Sequence, residues 1–131
     1  MAVSPTQRTL QYCRDQGWQA GIVERWIQQA KRRVDLFGCI DLIVLPRETI
    51  GGDLERGYCI TEPGYGILGI QACAAASHAA RVAKATAEPR LRNWLEAGGR
   101  FEVWSWKKYA KPIDRKYWRV RREAVTLADL P

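Results

Sequence analysis

The 131-residue chain holds one histidine, one methionine and two phenylalanines. Its four cysteines, Cys13, Cys39, Cys59 and Cys73, fall at gaps of 26, 20 and 14 residues. No CxxC knuckle or redox pair exists at such spacing, and a zinc site would need several scattered thiols to converge on His78. Reduced core thiols are expected instead. No apolar stretch fills the roughly 18 residues of a membrane span, because the weakly charged region 57–80 is broken by Glu62, Pro63 and several glycines. The N-terminus, Met-Ala-Val-Ser-Pro-Thr-Gln-Arg, lacks the charged start and apolar block of a secretory signal, so a cytoplasmic protein is expected. Gly64-Tyr65-Gly66-Ile67-Leu68-Gly69 spells Gly-x-Gly-x-x-Gly, but it runs into the strand expected at Ile67–Cys73 and not from a strand into a helix, as dinucleotide binding requires; a Gly-Lys-Ser/Thr phosphate loop and a Gly-x-Ser-x-Gly elbow are missing, and cofactor enzymes and serine hydrolases are disfavoured. Cys73 and His78 lie five residues apart with nothing evident to orient the imidazole, so a Cys/His nucleophile is not expected either.

Acidic residues are in deficit: 21 Lys and Arg face 14 Asp and Glu, a net charge of +7. The excess is uneven. Residues 1–64 hold eight cations against eight acids, residues 65–98 four against two, and residues 99–131 nine against four. A basic stretch of that kind suits a polyanion, with nucleic acid, DNA foremost, as the expected partner; a merely solvated face is the alternative. Hydrophobic residues at 47% and charged residues at 27% match ordinary globular composition, so residues 1–131 are read as one folded domain.

Ser4, Pro5 and Gln7 give an N-cap, a first-turn proline and a capping partner, predicting a helix from Pro5 that Gly17 ends, with Leu10 and Cys13 buried. Trp18 to Trp26 reads as a first strand, Gln28 to Arg33 as a polar loop, and Leu36 to Leu45 as a strand covered on both faces and stopped by Pro46. Residues 46–64 have turn chemistry. Ile67 to Cys73 reads as another buried strand. Ser77 caps a helix through about Ala85, and Glu88-Pro89 opens a second one carrying Leu91, Trp94 and Leu95. Arg100–Lys108 and Lys116–Leu127 are expected to pair antiparallel around a turn at 111–114, with residues 99–131 a basic strand pair. The fold class is α/β, a mixed central sheet flanked by helices.

Two polar residues break the apolar strands. Asp41 stands in an otherwise hydrophobic run, and a bare buried carboxylate is untenable without solvent, a partner or a metal. Gln71 stands where the next buried strand should be apolar, and Asp35 lies six residues before Asp41. Three oxygen-bearing side chains that converge would suit Mg²⁺ or Mn²⁺. Ion pairing to Arg32, Arg33 or Arg81 is the plainer role for the aspartates.

The order helix, strand, Gly38-Cys39-Ile40-Asp41-Leu42 at the second strand, Gly69-Ile70-Gln71-Ala72-Cys73 on the third, then a helix, resembles the PD-(D/E)XK nuclease superfamily over about residues 4–105. Within it, the resemblance is to small resolvase-like and phage nucleases. The resemblance implies a restriction-endonuclease-like core and homodimers. It also implies Asp41 and Gln71 as metal ligands with Asp35 as a third, Glu24 as an early acidic residue, and hydrolysis of phosphodiesters by water activated at the metal. Two positions depart from it: Gln71 stands for the usual Glu, and Cys73 for the lysine that activates water. Lys84 or Arg81, on the following helix, would supply that cation. His78 is expected to meet a phosphate at a helix N-terminus, while Trp104 and Trp106, beside Lys107 and Lys108, are expected to stack on bases. The runner-up is a nuclease fold that has lost catalysis and binds nucleic acid or a protein. A mobile-element adaptor that binds a host protein is a third class, with no particular residue behind it.

Overall fold

Ser4 begins the first helix as its sequence predicts: its Oγ accepts the Gln7 N–H at 3.1 Å and Pro5 fills the first turn, giving α1 over Pro5–Asp15. The structure, a computed structural model, describes residues 3–47, 49–51, 60–62, 66–110 and 116–131. After α1 come β1 (Gln19–Ile22), β2 (Arg25–Ile27), β3 (Arg32–Val34), β4 (Leu42–Leu45), β5 (Thr49–Gly51), β6 (Ile60–Glu62) and β7 (Leu68–Ala74). A 3-10 turn at Ala75–Ser77 leads into α2 (His78–Ala87), followed by α3 (Pro89–Glu96), β8 (Arg100–Ala110) and β9 (Lys116–Ala124). The molecule is a mixed α/β fold.

Five strands form one sheet in the order β1-β4-β7-β8-β9, and β2-β3 and β5-β6 form two separate antiparallel pairs. Every neighbour in the large sheet is antiparallel except β7 and β8, which run parallel from Leu68 opposite Arg100 to Ala74 opposite Trp106. A parallel step needs a crossover, and α2 with α3 supply it. Helix α1 covers one face, where Leu10 and Cys13 pack with Leu42, Ile70, Trp104 and Trp106. Helices α2 and α3 cover the other, where Ala85 and Leu91 pack with Cys39, Cys73, Phe101 and Val103. With both faces covered, β8 is buried from Phe101 to Trp106, and its polar members must find partners inside. Glu102 does so through Arg122 at 2.7 and 3.1 Å and the Trp104 indole N–H at 3.0 Å.

Several boundaries differ from those predicted. The first strand is broken at Val23-Glu24 into β1 and β2, because both backbone N–H groups turn to the carbonyl of Asp41. The expected strand Leu36–Leu45 is extended only from Leu42, since the chain doubles back between Leu36 and Ile40. Arg32 and Arg33, read as loop, belong to β3. Ser77 precedes α2 without a side-chain capping bond, because the preceding 3-10 turn already delivers the chain to the helix. The turn at 111–114 and most of the loop at 46–64 lie outside the described residues. Among the described residues, no helix is long and apolar enough to cross a membrane.

Trp104→Ala is expected to lower stability by about 3–5 kcal/mol, read as a fall in the urea midpoint. Trp118→Ala, at a residue 41% exposed, should stay within about 1 kcal/mol of wild type. Equal losses from the two would contradict the division of β8 and β9 into core and surface.

Candidate metal centre

Leu36 and Ile40 form a single antiparallel bridge, each N–H donating to the other's carbonyl at 2.9 Å. The turn between them passes through two left-handed residues, Phe37 at φ 52° and Gly38 at φ 76°. Glycine adopts that region freely, whereas a bulky residue such as Phe37 is strained there by something on the order of 1–3 kcal/mol. A side chain at position 38 would also run into the Glu88–Arg90 ion pair, with a Cβ only 2.5 Å from Glu88 Oε2. Asp35 and Asp41 flank the bridged pair on the same side, so the turn sets the two carboxylates across from one another.

Asp41 sits at the head of β4 and is pinned from both sides. Its N–H donates to Ile70 O at 2.8 Å, and its carbonyl accepts from Val23 N–H at 2.8 Å and Glu24 N–H at 3.3 Å. That second contact delivers Glu24 to the site. One ligand oxygen from each of Glu24, Asp35 and Asp41 lies within 4.8 Å of the others. Arg33 pairs with Glu24 at 3.1 Å and Lys84 with Asp35 at 3.5 Å. Asp41, 3% exposed, has no cationic partner among the described residues. Its Oδ2 accepts the Ala72 N–H at 2.9 Å and the Gln71 Nε2–H at 2.8 Å.

Burial raises the Asp41 carboxyl pKa to about 8, with the hydrogen bond and the charge of Asp35 acting in the same direction. Gln71 is 2% exposed, and having spent its amide N–H on Asp41 it leaves Oε1 without a hydrogen-bond partner among the described residues. A buried carbonyl oxygen in that state is unfavourable by about 1–3 kcal/mol, and here it belongs to a side chain that lines the same pocket as the three carboxylates. The pocket is open and polar, about 410 Å³, with the first turn of α1 at Ser4 and Thr6 on one side and Ser77 and Arg81 of the α2 approach on another.

The structure thus brings together Asp41, Asp35, Gln71 and Glu24, with Glu24 belonging to the acidic cluster itself. Arg81 lines the pocket and makes no ion pair with a described residue. Lys84 stands behind Asp35 and is not among the residues lining the pocket. Cys73 does line it, but burial raises the thiol pKa, so the sulfur stays neutral. Lys107 and Lys108 are exposed on β8.

Three expectations are corrected. Trp104 and Trp106, 0% and 7% exposed, are core residues under α1. Trp104 N–H is satisfied by Glu102, Trp106 N–H donates to Thr9 Oγ1 at 2.9 Å, and Tyr12 packs edge-on against both rings, so neither can stack on a base. His78, 4% exposed, is tied to Ser105 Oγ at 2.6 Å through Nδ1 and to Glu123 Oε1 at 2.9 Å through Nε2, which leaves no ring nitrogen for a phosphate. Arg33, expected as an ion-pair partner of the aspartates, pairs instead with Glu24. Sequence reasoning missed Ser4 and Thr6 as pocket residues, and nothing in the sequence signals that placement.

A carboxyl whose folded pKa lies above its ordinary value near 3.8 binds protons more tightly when folded. Its contribution to stability is therefore complete at acidic pH and is lost as pH rises through the folded value. Asn at position 41 keeps an oxygen for Ala72 and Gln71 and turns an N–H toward Asp35. Metal-free Asp41→Asn should melt roughly 5–10 °C above wild type at pH 8, with the gap closing toward pH 4.5, in thermal scans with EDTA. A gap independent of pH would contradict the raised Asp41 carboxyl. The chain matches no protein-family model, no curated protein and no solved structure.

Proposed function

We propose that this chain is a divalent-metal-dependent nuclease of the PD-(D/E)XK type that hydrolyses phosphodiester bonds in nucleic acid, DNA first among them. The observation that carries the reading is the convergence in one polar pocket of Glu24, Asp35 and Asp41 with Gln71 Oε1, which has no hydrogen-bond partner among the described residues. The element order supports it: α1, β1, then Asp41 heading β4, Gln71 on β7 and α2 follow the sequence on which the resemblance rests. The β7–β8 parallel step around that pair gives the restriction-endonuclease-like core its closing strand in this reading.

The residues fit a hard dication. All four donors are oxygens, the type that Mg²⁺ and Mn²⁺ take from carboxylates and amides. The cluster has two cationic neighbours for three carboxylates, and the one left over is the one whose proton affinity is raised. Asp41, Asp35, Glu24 and Gln71 Oε1 would hold the ion. When bound, it supplies Lewis-acid chemistry, making water acidic enough to attack phosphorus near neutral pH and offsetting charge on the phosphate oxygens.

The chain's own groups do the rest. Lys84 and Arg33 fix the Asp35 and Glu24 carboxylates, which would otherwise turn away from one another by mutual repulsion. Asp41 would have to lose its proton for its carboxylate to hold the ion, which would link binding to proton release. Arg81, on the pocket wall, meets the scissile phosphate with a planar fork of donors. Neutral Cys73 moves no proton, and that observation favours one second reading: a nuclease scaffold that binds nucleic acid without cutting it.

Labelled single-stranded, duplex and branched DNA incubated with Mg²⁺ or Mn²⁺ decides between them. Cleavage is expected to disappear with EDTA and to fall at least about 100-fold in Asp41→Ala and about tenfold in Arg81→Ala. Mg²⁺ should raise the melting temperature of wild type and do so less for Gln71→Leu. Cleavage that persists in EDTA overturns the metal mechanism. Salt-sensitive binding with no cleavage by wild type establishes the scaffold reading instead.

A further inference from the structure

The buried indoles of Trp104 and Trp106 leave the aromatic contact with nucleic acid to another residue. On the α1 face of the β8–β9 pair the register runs Trp104 opposite Arg122, Trp106 opposite Val120, and Lys108 opposite Trp118. The first two positions lie under α1, and Trp118 is the next rung, 41% exposed. The Arg8 guanidinium stacks over the Trp118 ring at 3.9 Å, and Lys108 Nζ lies 5.8 Å from its centroid. An indole braced by one cation and flanked by another is held ready to stack at little loss of rotamer freedom.

Its position relative to the pocket follows from the sheet. β7 and β8 are parallel, so their C-terminal ends point the same way; Gln71–Ala74 of β7 line the pocket, and Trp106 is the β8 residue opposite Ala74. Lys107 and Lys108 therefore extend past the end of β7, on the pocket's side of the molecule. Helix α1 ties the two places together, since Thr6 lines the pocket and Arg8 braces Trp118. Two residues apart, they lie about 3 Å along the axis and on opposite sides of a helix about 10 Å across, a span of a few nucleotides. In sequence, residues 107–121 hold seven Lys and Arg against one acid, and Lys107 and Lys108 are exposed on β8, so the partner that complements this stretch is a polyanion.

We propose that Trp118, Arg8 and Lys108 form a single-strand platform: the indole stacks on an unpaired base and the cations hold the adjoining phosphates as the strand crosses to the acidic pocket. The proposal rests on the nuclease reading for what lies at the far end of the strand, and on its own geometry for the binding. A stacking surface favours single strands, because duplex bases keep their faces covered by one another.

Fluorescence anisotropy with labelled oligo(dT) and a blunt duplex, in EDTA, tests it on the full chain. Trp118→Ala should weaken oligo(dT) binding about tenfold, leave duplex binding within about twofold and leave the salt slope unchanged. Trp118→Phe should retain most of the affinity. Lys108→Ala should weaken both substrates and reduce the salt slope by about one. Oligo(dT) affinity within twofold of wild type in Trp118→Ala, or an equal loss on duplex, overturns the platform, as does a wild type that binds neither. Because EDTA silences cutting, the two readings fail separately. A metal-dependent cleaver indifferent to Trp118 loses only the platform, and a Trp118-dependent binder that never cuts loses only the nuclease.

Discussion

The backbone of Asp41 is the fixed point of this structure. Its N–H is held by β7 and its carbonyl by Val23 and Glu24, so one residue joins the central strand to the break between β1 and β2. Its carboxylate is turned inward, onto the Ala72 amide and the Gln71 side chain. The other oxygen donors of the pocket arrive around it: Glu24 by the Asp41 carbonyl, Asp35 by the left-handed turn through Phe37 and Gly38, and Gln71 by direct donation to the Asp41 carboxylate. An arrangement with three carboxylates this close, one of them buried and unpaired, is held against its own electrostatics by the surrounding hydrogen bonds. Stability alone gives no reason to build it; in the metal-dependent reading proposed above, a ligand of opposite charge would.

Charge is divided along the sheet in a way that serves such a ligand. The pocket gathers acids at the ends of β4 and β7, whereas the parallel register of β7 with β8 carries the cationic strand pair beyond the same end. Helix α1 links them, its start lining the pocket and its Arg8 stacking over Trp118. A phosphate approaching an acidic cluster is repelled unless cations accompany it, and steering by the neighbouring basic strands offsets that repulsion over roughly a Debye length. Local pairings keep the two regions separate: Glu102 is neutralised by Arg122, and Glu123 pairs with Arg121 and accepts a hydrogen bond at the His78 ring, so the acids of β8 and β9 do not dilute the basic surface.

What could be read from the sequence follows from which signals are local. The helix starts at Pro5 and Pro89, the buried strand at Ile67–Cys73 and the antiparallel pair at the C-terminus rest on caps, apolar runs and alternation, and all are present, the last strand ending at Ala124, three residues before the expected Leu127. Asp41 and Gln71 were legible because a polar residue in a buried strand is a local contradiction. The rest depends on tertiary placement. Trp104, Trp106, Lys108 and Trp118 share one face by alternation, yet α1 covers only the first two, and nothing in the strand itself says where that cover stops. The break at Val23-Glu24 is likewise invisible, since it is made by the carbonyl of a residue 18 positions later.

The residue hardest to reconcile with catalysis is Cys73. A neutral thiol beside Arg81 neither donates a charge to the phosphate nor takes a proton from water. In the nuclease reading, position answers part of that loss: Arg81 reaches the pocket from the first turn of α2, beyond the 3-10 turn that follows β7. Proton transfer is the part Arg81 does not replace, since a guanidinium does not deprotonate in a protein. If water is to lose a proton here, the acceptor must be one of the three carboxylates, and of these Glu24 and Asp35 keep their cationic partners on one oxygen and have a second to offer. In the proposed reading a bound cation would supply the acidity of water and a carboxylate of the cluster would take its proton, a division of labour that needs no lysine on β7.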